Sequence, residues 1–254
     1  MCRHLAWLGE PVTLASLVLD APHSLLRQSF APQHQTHGVV NADGFGVGWY
    51  IDSRDEPVRY RRAQPIWGDA SFASLAPTIS SGCLLGAVRD ATPGFAASDE
   101  SSTAPFLHER WLFSHVGSLN DWPQARKALL DRGLDTPEAA APLDSALLFG
   151  VAVSAWTAGA SLGEGLAETR AAAQDVGGGR MSFMASDGEQ LAATSCGDPL
   201  FCHESAEGIV LASEPLDGSD AWRRLPPDCL VEAGRDGIRT TVLDSRTEPR
   251  MEPR

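Results

Sequence analysis

The sequence predicts an α+β fold built on antiparallel sheets. Three observations carry that expectation. Strand-like runs open and close the chain, helical patterns occupy its middle, and turn residues such as Asp187-Gly188 and Asp236-Gly237 separate several of the last strands. A parallel α/β fold alternates strand with helix instead, and Asp-Gly between alternating runs is a hairpin signal.

In chain order, "EPVTLASLVLDAPHSLLRQSF" predicts two short helices divided at Pro22, the first starting at Pro11. "VVNADGFGVGWYID" predicts a strand whose glycines mark tight turns or bulges. "FASLAPTI" predicts a short helix. "CLLGAVR" and "WLFSHVG" read as buried strands that deliver polar residues at one end. "DWPQARKALLDRG" predicts a helix from an Asp121 N-cap to a stop at Gly133. "PLDSALLFGVAVSAWTAG" and "SLGEGLAETRAAAQDVGGG" predict a helix pair. Five strands follow: "RMSFMAS", "QLAATSC", "GIVLASE", "CLVEAG" and "GIRTTVL". The polar, proline-bearing "SRTEPRMEPR" marks a disordered tail over 246–254, behind a single domain over 1–245.

At 254 residues and 43% hydrophobic, the chain has ample material for a core. Its net charge of −13 argues against nucleic acid, whose backbone requires a basic stripe. The acidity either keeps the protein soluble or favours a cationic ligand. The five cysteines are odd in number and form no CxxC pair, so neither a disulfide framework nor a zinc site is expected. No apolar run approaches the roughly 20 residues that cross a bilayer, and the start lacks a signal-peptide plan. A cytoplasmic protein without cofactor or metal is expected.

Two tempting motifs do not hold. "DGFGVGWY" spaces its glycines as GxGxG with no helix start behind them, which is not a dinucleotide loop. His23, His34 and His37 lack a Cys or carboxylate at ligand spacing, so surface or capping roles are expected rather than metal binding. The start "MCRH" is different. Removal of Met1 would leave a thiol and an α-amine on one residue, Cys2, and an α-amine of pKa about 7.7–8.0 is a base poised beside its nucleophile. Chains also begin Met-Cys without such a purpose, so this chemistry alone leaves both readings open.

"MCRH", "NADGFGVGWY", "GAVRDAT", "APFLHERWLFSHVGSLNDW" and "LDSALL", in that order, resemble the N-terminal-nucleophile amidohydrolases, and within them the class II glutamine amidotransferase group. "CRHLAWLG" and "ASEPLD" are most similar to the amidohydrolase branch of ergothioneine biosynthesis. The resemblance implies a four-layer αββα sandwich and hydrolysis of a γ-glutamyl amide through a thioester. In that branch the substrate is γ-glutamyl hercynylcysteine S-oxide, which carries a trimethylammonium group. By resemblance Cys2 is the nucleophile, Arg89 holds the substrate α-carboxylate, and Asp144 pairs with its α-ammonium. Thr92 falls near the glutamyl site, and the Gly117 amide serves the oxyanion hole. One departure stands out: the family's His-Asn-Gly is His115-Val116-Gly117 here, so the usual side-chain oxyanion donor is missing. Asn41 is a substitute donor on chemical type, and Trp122 a candidate for the cationic group through its ring face. No synthase domain is visible in the chain, which favours a free-standing hydrolase. A glutaminase subunit feeding a separate synthase, or a catalytically impaired γ-glutamyl-binding homologue, are the alternatives. A small-molecule γ-glutamyl partner is expected, and a homo-oligomer is left open.

Overall fold

The computed structural model describes residues 2–35, 38, 40–91, 99–133, 135–234 and 236–243. Thirteen strands are described: β1 (Arg3–Thr13), β2 (Phe45–Trp49), β3 (Val58–Arg62), β4 (Ser80–Val88), β5 (Phe106–His108), β6 (Trp111–Leu119), β7 (Gly179–Ser186), β8 (Leu191–Ser195), β9 (Phe201–Glu204), β10 (Gly208–Ala212), β11 (Arg223–Arg224), β12 (Cys229–Gly234) and β13 (Gly237–Val242). They form a seven-stranded sheet in the order β11-β9-β10-β1-β4-β2-β3 and a six-stranded sheet in the order β13-β12-β8-β7-β6-β5. Neighbouring strands run antiparallel, as at β1·β4, β1·β10 and β6·β7. The helices are α1 (Leu25–Gln28), α2 (Ala70–Leu75), α3 (Trp122–Leu129), α4 (Asp144–Thr157) and α5 (Leu162–Asp175), with a π-helical turn at Ser16–Asp20.

The period-2 alternation of a strand sorts its residues between two faces, and that sorting builds three cores. Leu5 and Trp7 of β1 pack with Leu84 and Val88 of β4 against Val18, Leu25 and Phe72 of the N-terminal helical segments. Ala6 and Leu85 point the other way, onto Leu112, Met184 and Val231 of the second sheet. Phe113 and Phe183 leave that sheet's far face to meet Phe149, Leu129 and Leu166 of α3, α4 and α5. Three cores between four layers make the αββα sandwich. Helix α4 is buried on nearly every side because α3 and α5 flank it over the sheet. Its first residues, Asp144 and Ser145, therefore point into the molecule rather than to solvent.

Two local expectations differ from the structure. Pro11 lies inside β1 and not at a helix start. The β1·β4 register shifts between Leu8 and Val12, and this irregular stretch accommodates a residue with no N–H to give. Asp121 occupies the N-cap position of α3, but its backbone is left-handed (φ 44°) and its side chain makes no capping bond; a working cap sits in the extended region. The tail over 246–254 lies outside the described residues. Among the described residues no helix is long and apolar enough to cross a membrane.

Candidate active site

Three strand ends, from β1, β4 and β2, meet at one end of the seven-stranded sheet. Arg3 of β1 and Phe45 of β2 both pair with Val88, the last residue of β4. Cys2, one residue before β1, therefore lies alongside Arg89, one residue after β4. The Asp43-Gly44 turn fixes this segment. The Arg89 amide donates to the Gly44 carbonyl at 2.8 Å and the Asp43 amide to the Arg89 carbonyl at 2.9 Å. The Ala91 amide donates to Asp43 Oδ2 at 2.8 Å. From the second sheet, β6 brings Ser114 and His115, and the start of α4 brings Ser145. Together with Cys2, Arg89 and Thr103 they line a cavity of about 30 Å³. That holds one or two waters, so the lining groups face one another at close range. Open grooves of about 600, 710 and 760 Å³ lie elsewhere, and none of them includes Cys2.

Burial pushes the Cys2 thiol up, and the nearby Arg89 charge opposes that shift. The thiol is half-buried, 3.9 Å from the Asp90 carbonyl oxygen. A thiol held protonated needs a base at the moment of attack. The other four cysteines are buried and free. Cys83, for example, is pushed by burial up to about 12 and sits 3.0 Å from Ser186 Oγ, which suits a packing role.

A polar relay backs the cavity. His115 Nε2 lies 3.0 Å from the Arg180 carbonyl oxygen, and Nδ1 lies 3.0 Å from Ser145 Oγ. The Arg180 oxygen only accepts, so Nε2 carries a proton. Asp144 accepts the Leu119 amide on Oδ2 at 2.9 Å and the Ser145 amide on Oδ1 at 2.8 Å. It ties the end of β6 to α4 and stands behind Ser145 rather than among the cavity-lining residues. Gly117 has φ +146°, and a Cβ there would collide with the Arg180 carbonyl oxygen and crowd His115 Nε2. Only glycine lets β6 approach Arg180 this closely.

The remaining candidates lie as follows. Val116 is buried on the inter-sheet face of β6. Asn41 is buried too, but its amide group donates to the Gln28 carbonyl (3.4 Å) and to Gln35 Oε1 (3.2 Å), so both protons are engaged. It does not line the cavity. Trp122 starts α3 and packs against the core beneath the helices, also off the cavity. Thr92 lies outside the described residues. Sequence reasoning gave no role to His4, Thr103, Ser114, His115 or Ser145. The signal was present in part: His4 and Ser114 share strand parity with Cys2 and Val116, and Ser145 follows Asp144 within "LDS".

A thiol beside a guanidinium, with hydroxyl and imidazole groups around one small cavity, suits nucleophilic attack on the acyl carbon of a substrate that carries a carboxylate. Among the described residues no cluster of His, Cys, Asp or Glu is arranged to hold a metal.

No family model matches the chain. Full-length relatives do. The chain is 41% identical over 251 residues to the gamma-glutamyl-hercynylcysteine sulfoxide hydrolase of Mycobacterium tuberculosis (strain CDC 1551 / Oshkosh), covering 98% of this chain and 100% of that protein. It is 42% identical over 249 residues to the protein of the same name from Mycolicibacterium smegmatis, covering 96% and 100%. Among solved structures, a glutamine aminotransferase class-II domain protein from Silicibacter pomeroyi superposes with a TM-score of 0.68 at 25% identity, over 96% of this chain and 100% of that one. The glutamine phosphoribosylpyrophosphate amidotransferase of B. subtilis superposes with a TM-score of 0.71 at 14% identity, over 97% of this chain and 50% of that one, and shares the fold. With its αββα sandwich, its thiol beside Arg89 and its end-to-end identity to these hydrolases, the chain belongs to the gamma-glutamyl-hercynylcysteine sulfoxide hydrolase family.

Proposed function

We propose that this protein hydrolyses the γ-glutamyl amide of γ-glutamyl hercynylcysteine S-oxide, releasing glutamate and hercynylcysteine S-oxide. The observation that carries this reading is the full-length identity of 41% to hydrolases of that name. The cavity supports it, because Cys2 and Arg89 both line it from neighbouring strand ends.

In the proposed mechanism Met1 is removed, and the freed α-amine takes the Cys2 thiol proton. The sulfur attacks the γ-carbonyl carbon, a C–S bond forms, and the carbonyl π pair moves onto oxygen. The oxyanion is held by the Gly117 amide and a second donor. As the C–N bond breaks, the α-ammonium returns its proton to the leaving amine. Water then attacks the thioester, glutamate departs, and the thiol is restored. Arg89 holds the α-carboxylate, for which a planar guanidinium is suited. Asp144 places a negative charge toward the α-ammonium. A cytoplasmic setting is part of the proposal and agrees with five free thiols.

A hydrolysis assay on glutamine, γ-glutamylcysteine and γ-glutamyl hercynylcysteine S-oxide tests this reading. The expected result is one glutamate per turnover, with the S-oxide preferred in kcat/KM. Turnover of glutamine with the S-oxide ignored contradicts it, as does binding of all three without hydrolysis.

A further inference from the structure

Val116 leaves the proposed oxyanion hole one donor short, which typically costs about 10²–10³ in rate. A replacement donor needs a place on the Cys2 cavity and a proton to spare. Asn41 has neither, since both its N–H groups are engaged and it lies off the cavity. The proton on His115 Nε2 goes to the Arg180 carbonyl. With Nε2 protonated, His115 Nδ1 is an acceptor, and the Ser145 hydroxyl donates to it at 3.0 Å, with Asp144 Oδ1 at 3.4 Å as a second acceptor. Thr103 lines the cavity and its buried Oγ1 has no hydrogen-bond partner among the described residues, but it stands beside the root of Arg89 rather than on β6 with Gly117. Its Oγ1 sits against Gly44, whose carbonyl holds the Arg89 backbone, and this is the carboxylate side.

Ser114 remains. It lies two residues before Val116 on β6, and residues two apart share a face. It lines the cavity with Cys2. Its Oγ is 3.2 Å from His4 Nδ1, reaching across from β1 of the other sheet. The other nitrogen, His4 Nε2, is buried with no hydrogen-bond partner among the described residues. A proton on Nε2 would make an orphaned buried N–H, which folded proteins avoid more strictly than a bare acceptor. The Nδ1-protonated tautomer avoids that orphan, and in it His4 donates to Ser114 Oγ. That leaves the Ser114 hydroxyl proton free to turn into the cavity. Burial first, and then the neighbouring Arg3, hold the His4 pKa down to about 3, so the imidazole keeps one proton across the working pH range.

We infer that Ser114 is a catalytic residue, the second oxyanion-hole donor in place of the family's asparagine, and that His4 is the positioning residue that aims it. This inference rests on the proposed γ-glutamyl amide hydrolysis. It predicts that Ser114→Ala lowers kcat on the order of a hundredfold, with KM nearly unchanged because the contact forms in the transition state. Alkylation of Cys2 by iodoacetamide, which builds no oxyanion, proceeds at the wild-type rate in that variant. Val116→Asn alone brings no gain in kcat, but combined with Ser114→Ala it restores most of the loss. His4→Leu loses kcat as Ser114→Ala does. His4→Asn, whose amide N–H stands near the Nδ1 position, keeps most of it. If Ser114→Ala misfolds by thermal melting, Ser114→Cys, with its weak S–H donor, must show the same loss confined to kcat.

Wild-type kcat in a folded Ser114→Ala variant overturns the inference. So does a kcat loss matched by an equal loss in Cys2 alkylation, because that marks a displaced nucleophile. A tenfold gain from Val116→Asn alone also overturns it, by showing the hole to be incomplete. The two levels separate cleanly. A wild type inert toward all three γ-glutamyl compounds sinks the parent reading and this inference with it. An active wild type matched by Ser114→Ala sinks the inference alone.

Discussion

Arg89 shows how much of this site rests on backbone placement. Its amide and carbonyl are both held by the Asp43-Gly44 turn, at 2.8 and 2.9 Å, so the guanidinium starts from a fixed root beside Cys2. A charge-assisted pair to a carboxylate is worth about 1.5–3 kcal/mol. Arg89→Ala should therefore lower kcat/KM at least about tenfold, chiefly through KM, and Arg89→Lys should recover little because an ammonium cannot form the two-pronged contact. Steady-state kinetics checks both, and unchanged kcat/KM in Arg89→Ala would remove the residue from binding. At this scale the sequence was legible where a motif fixes a position, as with Cys2 and Arg89, which the fold brings to one cavity. It was not legible where a role depends on who else is near. "LDS" identifies Asp144, but nothing in those three letters says that both carboxylate oxygens already receive backbone amides. Nor does "MCRH" say that His4 meets Ser114, a residue 110 positions away.

Strand β3 is tied to the segment that carries Thr103 by two arginines that share one carboxylate. Arg59 Nη2 and Arg61 Nη1 of β3 contact Glu138 at 2.9 and 2.8 Å, and the same guanidinium groups donate to the Pro105 and Thr103 carbonyls. Glu138 thus neutralises two arginines that burial would otherwise set against each other, and Arg61 is lowered by that burial and by Arg59. Glu138→Ala should destabilise the fold by about 2–4 kcal/mol, at or below the usual range for breaking a buried pair because these side chains keep some solvent contact. A thermal melt would show it, and a loss below about 0.5 kcal/mol would mean the clamp is ornamental. The same strand shows why some elements escaped sequence reading. "VRYRR" carries three arginines, so its alternation of faces does not appear as alternation of hydrophobicity. The two-residue β11 and three-residue β5 are too short to carry a period at all. The long runs "CLLGAVR" and "WLFSHVG", and the paired helices α4 and α5, were legible because burial on one or more faces imposes a pattern over many residues. Pro11 misled because a helix-start signal and a strand irregularity tolerate the same missing N–H.

The whole molecule places a polar end on an otherwise apolar sandwich, and that end sets its pH response. His4 is buried between the sheets with its pKa lowered to about 3, mainly by desolvation. An unfolded histidine titrates near 6.5. Between these values the unfolded chain binds more protons than the folded one, so this contribution to stability is present above about pH 6.5 and is lost as pH falls toward 3. The slope from one such group is about 1.4 kcal/mol per pH unit. Denaturant unfolding from pH 7 to pH 4 should show that fall in the wild type and a shallower one in His4→Asn; parallel curves would mean that His4 takes up its proton without strain. The sandwich also brings a residue that precedes the first strand to the end of β4 and into reach of β6, which is how position 2 becomes part of a cavity. That Cys2 is the nucleophile is the central claim, and rapid-quench intact mass with peptide mapping tests it most directly. Mixing with the γ-glutamyl substrate should yield a transient adduct of one glutamyl group on the peptide that begins at Cys2, with Met1 absent, and Cys2→Ala should show neither adduct nor turnover. Turnover by Cys2→Ala, or a glutamyl adduct on any other residue, would contradict the account.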